Sequence, residues 1–222
     1  MERTFKKPKQ SIIVFCEGAS EAAYLQFFKN EFRDVAVFRH YCDIDFFESA
    51  MKKFKRAPAL RDYTDEIDEV WFFFDVEMQD RDKWPHRLTI IQQIRKLRKH
   101  PNIQVRLLMT TGCLEYWLLL HYKKLAPPIQ SDEAKVQIFH ELMHWMPKYQ
   151  KGDCAATWEI ATQYKLAVIR AKQILTDLLQ DGLPSLEDSD VRNEWLCSRC
   201  VTFSTVFEGI EHLQELKALT NQ

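Results

Sequence analysis

Ser11-Ile-Ile-Val-Phe-Cys16, followed by Glu17-Gly18-Ala19-Ser20-Glu21, decides the fold. A short apolar run stopped by an acid and a glycine reads as a buried strand passing into a turn. Ser20 is placed to cap a helix that carries Ala23, Tyr24, Phe27 and Phe28 on one face. The same alternation continues outward. Val35–Phe38 reads as a second strand and Asp45–Phe54 as a helix. Glu69–Val76 is a third strand, apolar throughout 70–74, and a helix runs from Pro85 to about Lys99. Ile103–Met109 is a fourth strand, and Cys113–Tyr122 is a helix after the Thr110-Thr111-Gly112 turn. Strands apolar on both faces, alternating with helices, imply a parallel or mostly parallel α/β sheet covered on both sides. Pro127-Pro128 closes this part, so the expected division is an α/β domain over 1–126 and a helical extension over 127–222 packed on it. The extension reads as helices over Ser131–Trp145, Ala155–Gln180 and about Ser204–Leu219, with an irregular acidic stretch at 183–190.

Composition narrows the function classes. The 222 residues contain five glycines, where an average chain of this length holds about fifteen. That shortage argues against collagen-like and glycine-loop nucleotide-binding designs, and no G-x-x-x-x-G-K-[ST] is present. Any ATP-driven control must come from a partner. The net charge of −1 excludes a strongly basic nucleic-acid coat, but it conceals an asymmetry: 177–222 carries −6 and the first 176 residues +5. Basic residues cluster at Lys6, Lys7 and Lys9, at Lys52, Lys53, Lys55 and Arg56, and at Arg95, Lys96, Arg98 and Lys99. Such clusters are either solvated helix faces or a footprint for phosphate. The run Ile12–Cys16 is too short for a signal-peptide core or a membrane span. The expectation is a cytoplasmic protein without a membrane partner, its six cysteines reduced.

Ligands in open parallel sheets bind beyond the carboxyl ends of the strands. Glu17 follows the first strand there, and Asp75 and Glu77 follow the third. Glu21 lies one helical turn past Glu17, so its carboxylate can point into the same crevice. Four converging carboxylates repel one another unless a divalent cation sits between them, and oxygen-only ligands favour Mg²⁺ or Mn²⁺ over zinc.

At these residues a family resemblance is carried. Ile-Ile-Val-Phe-Cys-Glu-Gly-Ala-Ser-Glu-Ala-Ala-Tyr (12–24) resembles the opening of Toprim domains, an apolar strand followed by C/V-E-G-x-T/S-E-x-x-Y, especially in the RloB-like and OLD-like groups. Val70-Trp-Phe-Phe-Phe-Asp-Val-Glu77 is similar to their D-x-D strand end. Cys113-Leu-Glu-Tyr-Trp-Leu-Leu-Leu-His121 resembles the S-N-P-C-F-E-x-W-L-L-L-H-F segment of RloB-like proteins. Tyr149-Gln-Lys-Gly152 and the alanine-spaced helix Ala161–Ala171 fit the same group. The resemblance spans roughly 10–175 and, more loosely, the last helix.

It implies a Toprim-like, Rossmann-like fold and a Mg²⁺- or Mn²⁺-dependent nuclease acting on DNA or RNA, tRNA included. The family context implies an effector of bacterial anti-phage defence working with a partner ATPase, with homo-oligomers a further expectation. Glu17 matches the Toprim glutamate, a metal ligand or general acid/base. Glu21 matches the second acid, and Asp75 with Glu77 the metal pair; Asp80 ranks next as a ligand, with Asp82 near it. Glu115 gains a catalytic role from the match. Lys52, Lys53, Lys55 and His121 are the candidate substrate contacts. Two departures stand out: Glu77 replaces an aspartate, and Thr110-Thr111-Gly112 replaces S-N-P. The glutamate favours an alternative, a non-catalytic binding subunit that keeps the Toprim shape.

A rival motif is His140-Glu141-Leu142-Met143-His144, which fits H-E-x-x-H on a helix, the zinc-hydrolase signature. It lacks an evident third ligand, and Phe139, Leu142, Met143 and Met146 explain the segment as packing. Cys197-Ser-Arg-Cys200 is half a zinc site without a second C-x-x-C.

Overall fold

A computed structural model describes residues 8–56, 66–98, 101–199 and 201–220. Lys6, Lys7, Lys99 and Cys200, singled out above, lie outside the described residues.

Four strands, β1 (Gln10–Cys16), β2 (Ala36–Cys42), β3 (Glu69–Val76) and β4 (Gln104–Thr111), form one sheet in the order β2-β1-β3-β4. Every pairing is parallel, with Cys16 opposite both Cys42 and Phe73, and Asp75 opposite Thr110. The all-parallel arrangement follows from strands that are apolar on both faces: 12–16 and 70–74 are fully buried. On one face Phe73 meets Tyr24 of α1 (Ala19–Glu31) edge-on. On the other, Phe72 stacks on Phe47 of α2 (Phe46–Arg56) with ring centroids 4.1 Å apart. A 3-10 turn (Met78–Lys83) and α3 (Trp84–Arg95) cover that second face. The α/β class read from the sequence is therefore the one observed, with Rossmann-like parallel topology.

Helix α4 (Leu114–Leu119) closes the first part, and the helical half comprises α5 (Asp132–Trp145), α6 (Cys154–Ala161), α7 (Tyr164–Asp177), α8 (Asp190–Arg199) and α9 (Val206–Thr220). It shares one continuous apolar core with the sheet. Helix α9 lies against β4 so closely that a Cβ at Gly209 would stand 2.9 Å from Leu108 Cδ2. Before it, 201–205 runs along the outer edge of β4: Thr111 donates its N–H to the Phe203 carbonyl at 3.0 Å, and Thr205 its N–H to Met109 at 2.8 Å. This short antiparallel bridge covers the edge that an open sheet would leave unpaired. No helix among the described residues is long and apolar enough to cross a membrane.

Two elements differ from expectation. The single helix expected over 155–180 is broken at Thr162-Gln163. Ala156, Ile160 and Ala161 of α6 are buried where that helix meets α1, while Ala167, Ala171 and Ile174 of α7 face inward elsewhere. One straight helix cannot present both stripes to two different neighbours. The stretch 183–189 is irregular as expected, but helix α8 after it was not assigned from the sequence. Its organiser is Arg192, fully buried, whose guanidinium grips Glu208 (2.5 and 3.0 Å), Asp188 (3.2 Å) and the Leu186 carbonyl (2.9 Å). Burial pushes the Glu208 carboxyl up and the Arg192 charge opposes it. Removing one partner of such a group leaves a buried charge unpaired. Arg192→Met is accordingly expected to lower unfolding free energy by about 3–5 kcal/mol in urea denaturation, and adding Glu208→Gln to recover part of that loss.

Candidate active site

Because β1 and β3 end side by side, the residues after each leave the sheet together. The Glu17 N–H donates to the Phe73 carbonyl at 3.2 Å, and Glu17 Oε2 accepts the Asp75 N–H at 3.2 Å. Gly18, rather than Ser20, caps α1, and Glu21 folds back to accept the Gly18 N–H at 3.0 Å. Ser20 thereby has its hydroxyl available and donates it to Glu115 Oε1 at 3.3 Å. The buried Glu115, in the first turn of α4, also accepts the Tyr149 hydroxyl at 3.0 Å and lies 3.5 Å from Lys151 Nζ. Tyr149 and Lys151 belong to a loop lying on the start of α1. Gly152 makes that approach possible: its φ is +78°, and a Cβ there would come 2.9 Å from the Ala19 Cβ.

The site is an electrostatic conflict. Burial pushes the Glu21 carboxyl up to about 7; nearby backbone N–H groups hold it back, and Glu17 and Glu115 add to the rise. Asp75 is raised well above the carboxylate range by burial first, then by Glu21, Glu17, Glu115 and Glu77. Glu17 is raised by burial too, opposed by the Asp75 N–H and by Arg87, and reinforced by Asp80 and Glu77. Asp75 Oδ1 is sealed from solvent, and among the described residues none donates a hydrogen bond to it. A buried acceptor without a donor is costly unless a proton or a cation reaches it. Hard oxygen donors at Glu17, Glu21 and Asp75 suit Mg²⁺ or Mn²⁺. Among the described residues, no three Asp, Glu, His or Cys side chains already form a cluster that would hold an ion. The acids share one field, and rotamer changes would have to bring them onto one point.

The remaining expected ligands are otherwise engaged. Glu77 pairs with Lys135 of α5 and accepts from Gln79 at 2.6 Å, its longer arm reaching across a cleft of about 390 Å³ beside Ile129–Glu133. Asp80, expected to bind metal, is a brace. Its Oδ2 accepts the Glu77 N–H (2.9 Å), while Oδ1 receives Arg87 (2.9 Å) and Lys83 (3.0 Å). Asp82 is exposed. His121, expected to contact substrate, is a core residue: fully buried, it places Nδ1 3.0 Å from the Trp117 carbonyl and Nε2 3.4 Å from the Tyr24 hydroxyl. Burial pushes its pKa down to about 4, keeping it neutral. Lys52 and Lys55 are exposed on α2, and Lys53 Nζ sits 4.0 Å from the Tyr41 ring centroid. Lys53 thereby lies over the carboxyl end of β2. In the rival motif His140 and His144 are exposed and Glu141 is bound to Lys123 at 2.6 Å, as in an ordinary amphipathic helix.

Tyr149, Lys151, Lys135 and Arg87 were not read as site residues. The one available signal was Gly152 directly after Lys151, a scarce glycine spent on seating that loop.

An α/β protein with an unneutralised acidic centre at the carboxyl edge of a parallel sheet is thus the class that fold and site define. A family model described as RloB-like protein matches residues 12–212. The chain belongs to the RloB-like family. No curated protein and no solved structure matches it.

The raised carboxyls fix a pH dependence. In the folded state Glu21 keeps a proton that the unfolded chain, with a value near 4.5, has released. The resulting stability is present in full below that value and lost as pH rises through about 7. Without added cation, unfolding free energy is expected to fall across this window by on the order of 3 kcal/mol. Glu21→Gln should flatten most of the slope in urea titrations at a series of pH values.

Proposed function

We propose that this chain is a Toprim-type nuclease that uses Mg²⁺ or Mn²⁺ to cleave phosphodiester bonds in DNA or RNA. The observation that carries the reading is Asp75 Oδ1, a buried carboxylate oxygen without a donor, set among Glu17, Glu21 and Glu115. When bound, the cation would neutralise a scissile phosphate and lower the pKa of an attacking water. Glu17, Glu21 and Asp75 are the residues that would hold it. Glu77 would join only on giving up Lys135. Glu17, partly exposed and with a raised pKa, is suited to take a proton at the sheet end. Glu115, fixed by Ser20 and Tyr149, positions Lys151, which is exposed and can meet a phosphate oxygen. Lys52, Lys53 and Lys55 extend a positive flank along which a nucleic-acid backbone can run. Family membership supports a cytoplasmic role in bacterial anti-phage defence beside a partner ATPase, since the chain carries no P-loop of its own.

A second reading, a non-catalytic binding subunit, is favoured by the Lys135 ion pair that occupies Glu77. The two separate in one assay on plasmid, single-stranded DNA and total tRNA, with and without Mg²⁺ or Mn²⁺ and with any ATPase that co-purifies with the chain. Cation-dependent cleavage is expected, falling by about 10²-fold or more in Glu17→Gln and in Asp75→Asn. Lys151→Ala should reduce the rate by about 10²-fold while the protein still binds nucleic acid. Cleavage indifferent to Glu17→Gln and Asp75→Asn would refute the site. Binding without cleavage under every condition would favour the second reading.

A further inference from the structure

Cys16 and Cys42 are the last residues of β1 and β2 and are registered partners in the parallel sheet. Registered partners project to the same face, and neighbouring strands lie about 4.7–4.9 Å apart. That separation falls within the roughly 4.4–6.8 Å between Cα atoms that a disulfide spans. The two sulfurs are in contact at 2.8 Å, and both are free thiols. Cys16 is buried and Cys42 is exposed, so a dissolved oxidant meets Cys42 first while its partner waits beneath it. Their position is not neutral: Glu17 follows Cys16 directly, and Asp43 N–H donates to the Cys16 carbonyl at 3.1 Å, tying the two strand ends to each other.

We propose that Cys16 and Cys42 form an oxidisable dithiol that a hydroperoxide closes into a disulfide, tying β1 to β2 beside the acidic site. The Cys42 sulfur attacks one peroxide oxygen; an S–O bond forms, the O–O bond breaks, and the departing oxygen leaves as water or an alcohol with the thiol proton. The Cys16 sulfur then attacks the Cys42 sulfenic acid; the S–S bond forms, the S–O bond breaks, and hydroxide leaves as water with the second thiol proton. Two electrons pass from the sulfurs to the peroxide. A bridge between adjacent strands with one exposed sulfur belongs to the readily reduced class rather than the structural one. A thiol that lacks a partner passes instead through the sulfenic to the sulfinic and sulfonic acids, and the exposed Cys154 supplies that comparison within the same chain.

The test needs neither nucleic acid nor cation, so its outcome is independent of the nuclease reading. Reduced full-length protein is titrated with hydrogen peroxide, denatured, alkylated with iodoacetamide and mapped by mass spectrometry without reduction. Cys16 and Cys42 are expected to lose alkylation together, with their peptides joined and released by dithiothreitol, whereas Cys154 is lost as an acid that dithiothreitol does not restore. Cys42→Ser should abolish the joined peptides, and Cys16→Ser should send Cys42 on to sulfinic acid as Cys154 goes. Wild-type protein in which Cys42 reaches sulfinic acid while Cys16 remains alkylatable would overturn the proposal. So would a bridge from either residue to another cysteine. If a variant fails to fold, the wild-type map decides alone.

Discussion

The arrangement of this molecule turns on one carboxylate oxygen, Asp75 Oδ1, that folding removes from water without giving it a donor. The opposite end of the same strand shows how unusual that is. Glu69, at the start of β3, is buried too, yet it accepts His212 at 2.5 Å and the Trp71 indole at 2.6 Å, with Arg106 3.6 Å away. Against burial, those partners hold the Glu69 carboxyl below its ordinary value. Asp75 has acids where Glu69 has donors, and its carboxyl is pushed the other way. A fold that satisfies one buried acid so fully and leaves another in a field of like charge contains an acid awaiting a positive partner.

The rest of the carboxyl edge is arranged around that deficit. Gly18 caps α1 with backbone alone, which turns Glu21 inward and leaves Ser20 to bind Glu115. Arg87 is the nearest cation on the α3 side. Its guanidinium is committed to Asp80 at 2.9 Å and lies 5.0 Å from the Phe74 ring, so it steadies the β3 end without neutralising Asp75. Lys135 is likewise committed to Glu77. Cations are present around the acids, but the geometry keeps them at the rim.

What could be read from residue order follows from this division. Strands and their ends were legible because short apolar runs rich in β-branched and aromatic residues are bounded by turn signals, and an acid at the end of one stands out. Hence β1, β3, Glu17 and Asp75 were visible in one dimension. Glu21 was visible because a helical turn is a fixed spacing. Pairings across long stretches of chain were not: the Lys135 hold on Glu77 and the Lys151 approach to Glu115 join residues 58 and 36 apart through turns that no period announces. Helix α8 was missed for a related reason. Its polar sequence is disfavoured as a buried helix until Arg192 finds Glu208, and that partner lies in another element. His121 misled in the opposite sense. A histidine beside tryptophan in an apolar helix was given a contact role, and full burial makes it a neutral core residue instead.

The same geometry argues against treating 127–222 as an appendage to a self-sufficient α/β unit. Lys135, Tyr149 and Lys151 all come from that half, and each touches an acid of the first half. Helix α5 carries the H-E-x-x-H pattern, but its contribution here is one stripe, Lys135 with the buried Ile138 and Leu142 at i+3 and i+7. Gly152 lets the next loop rest on Ala19, one residue from the α1 cap. Without these contacts Glu115 would lose its tyrosine and its lysine, and Glu77 would lose its lysine. The helical half therefore sets how much negative charge the centre carries. By holding Lys135 against Glu77 it keeps that carboxylate in an ion pair.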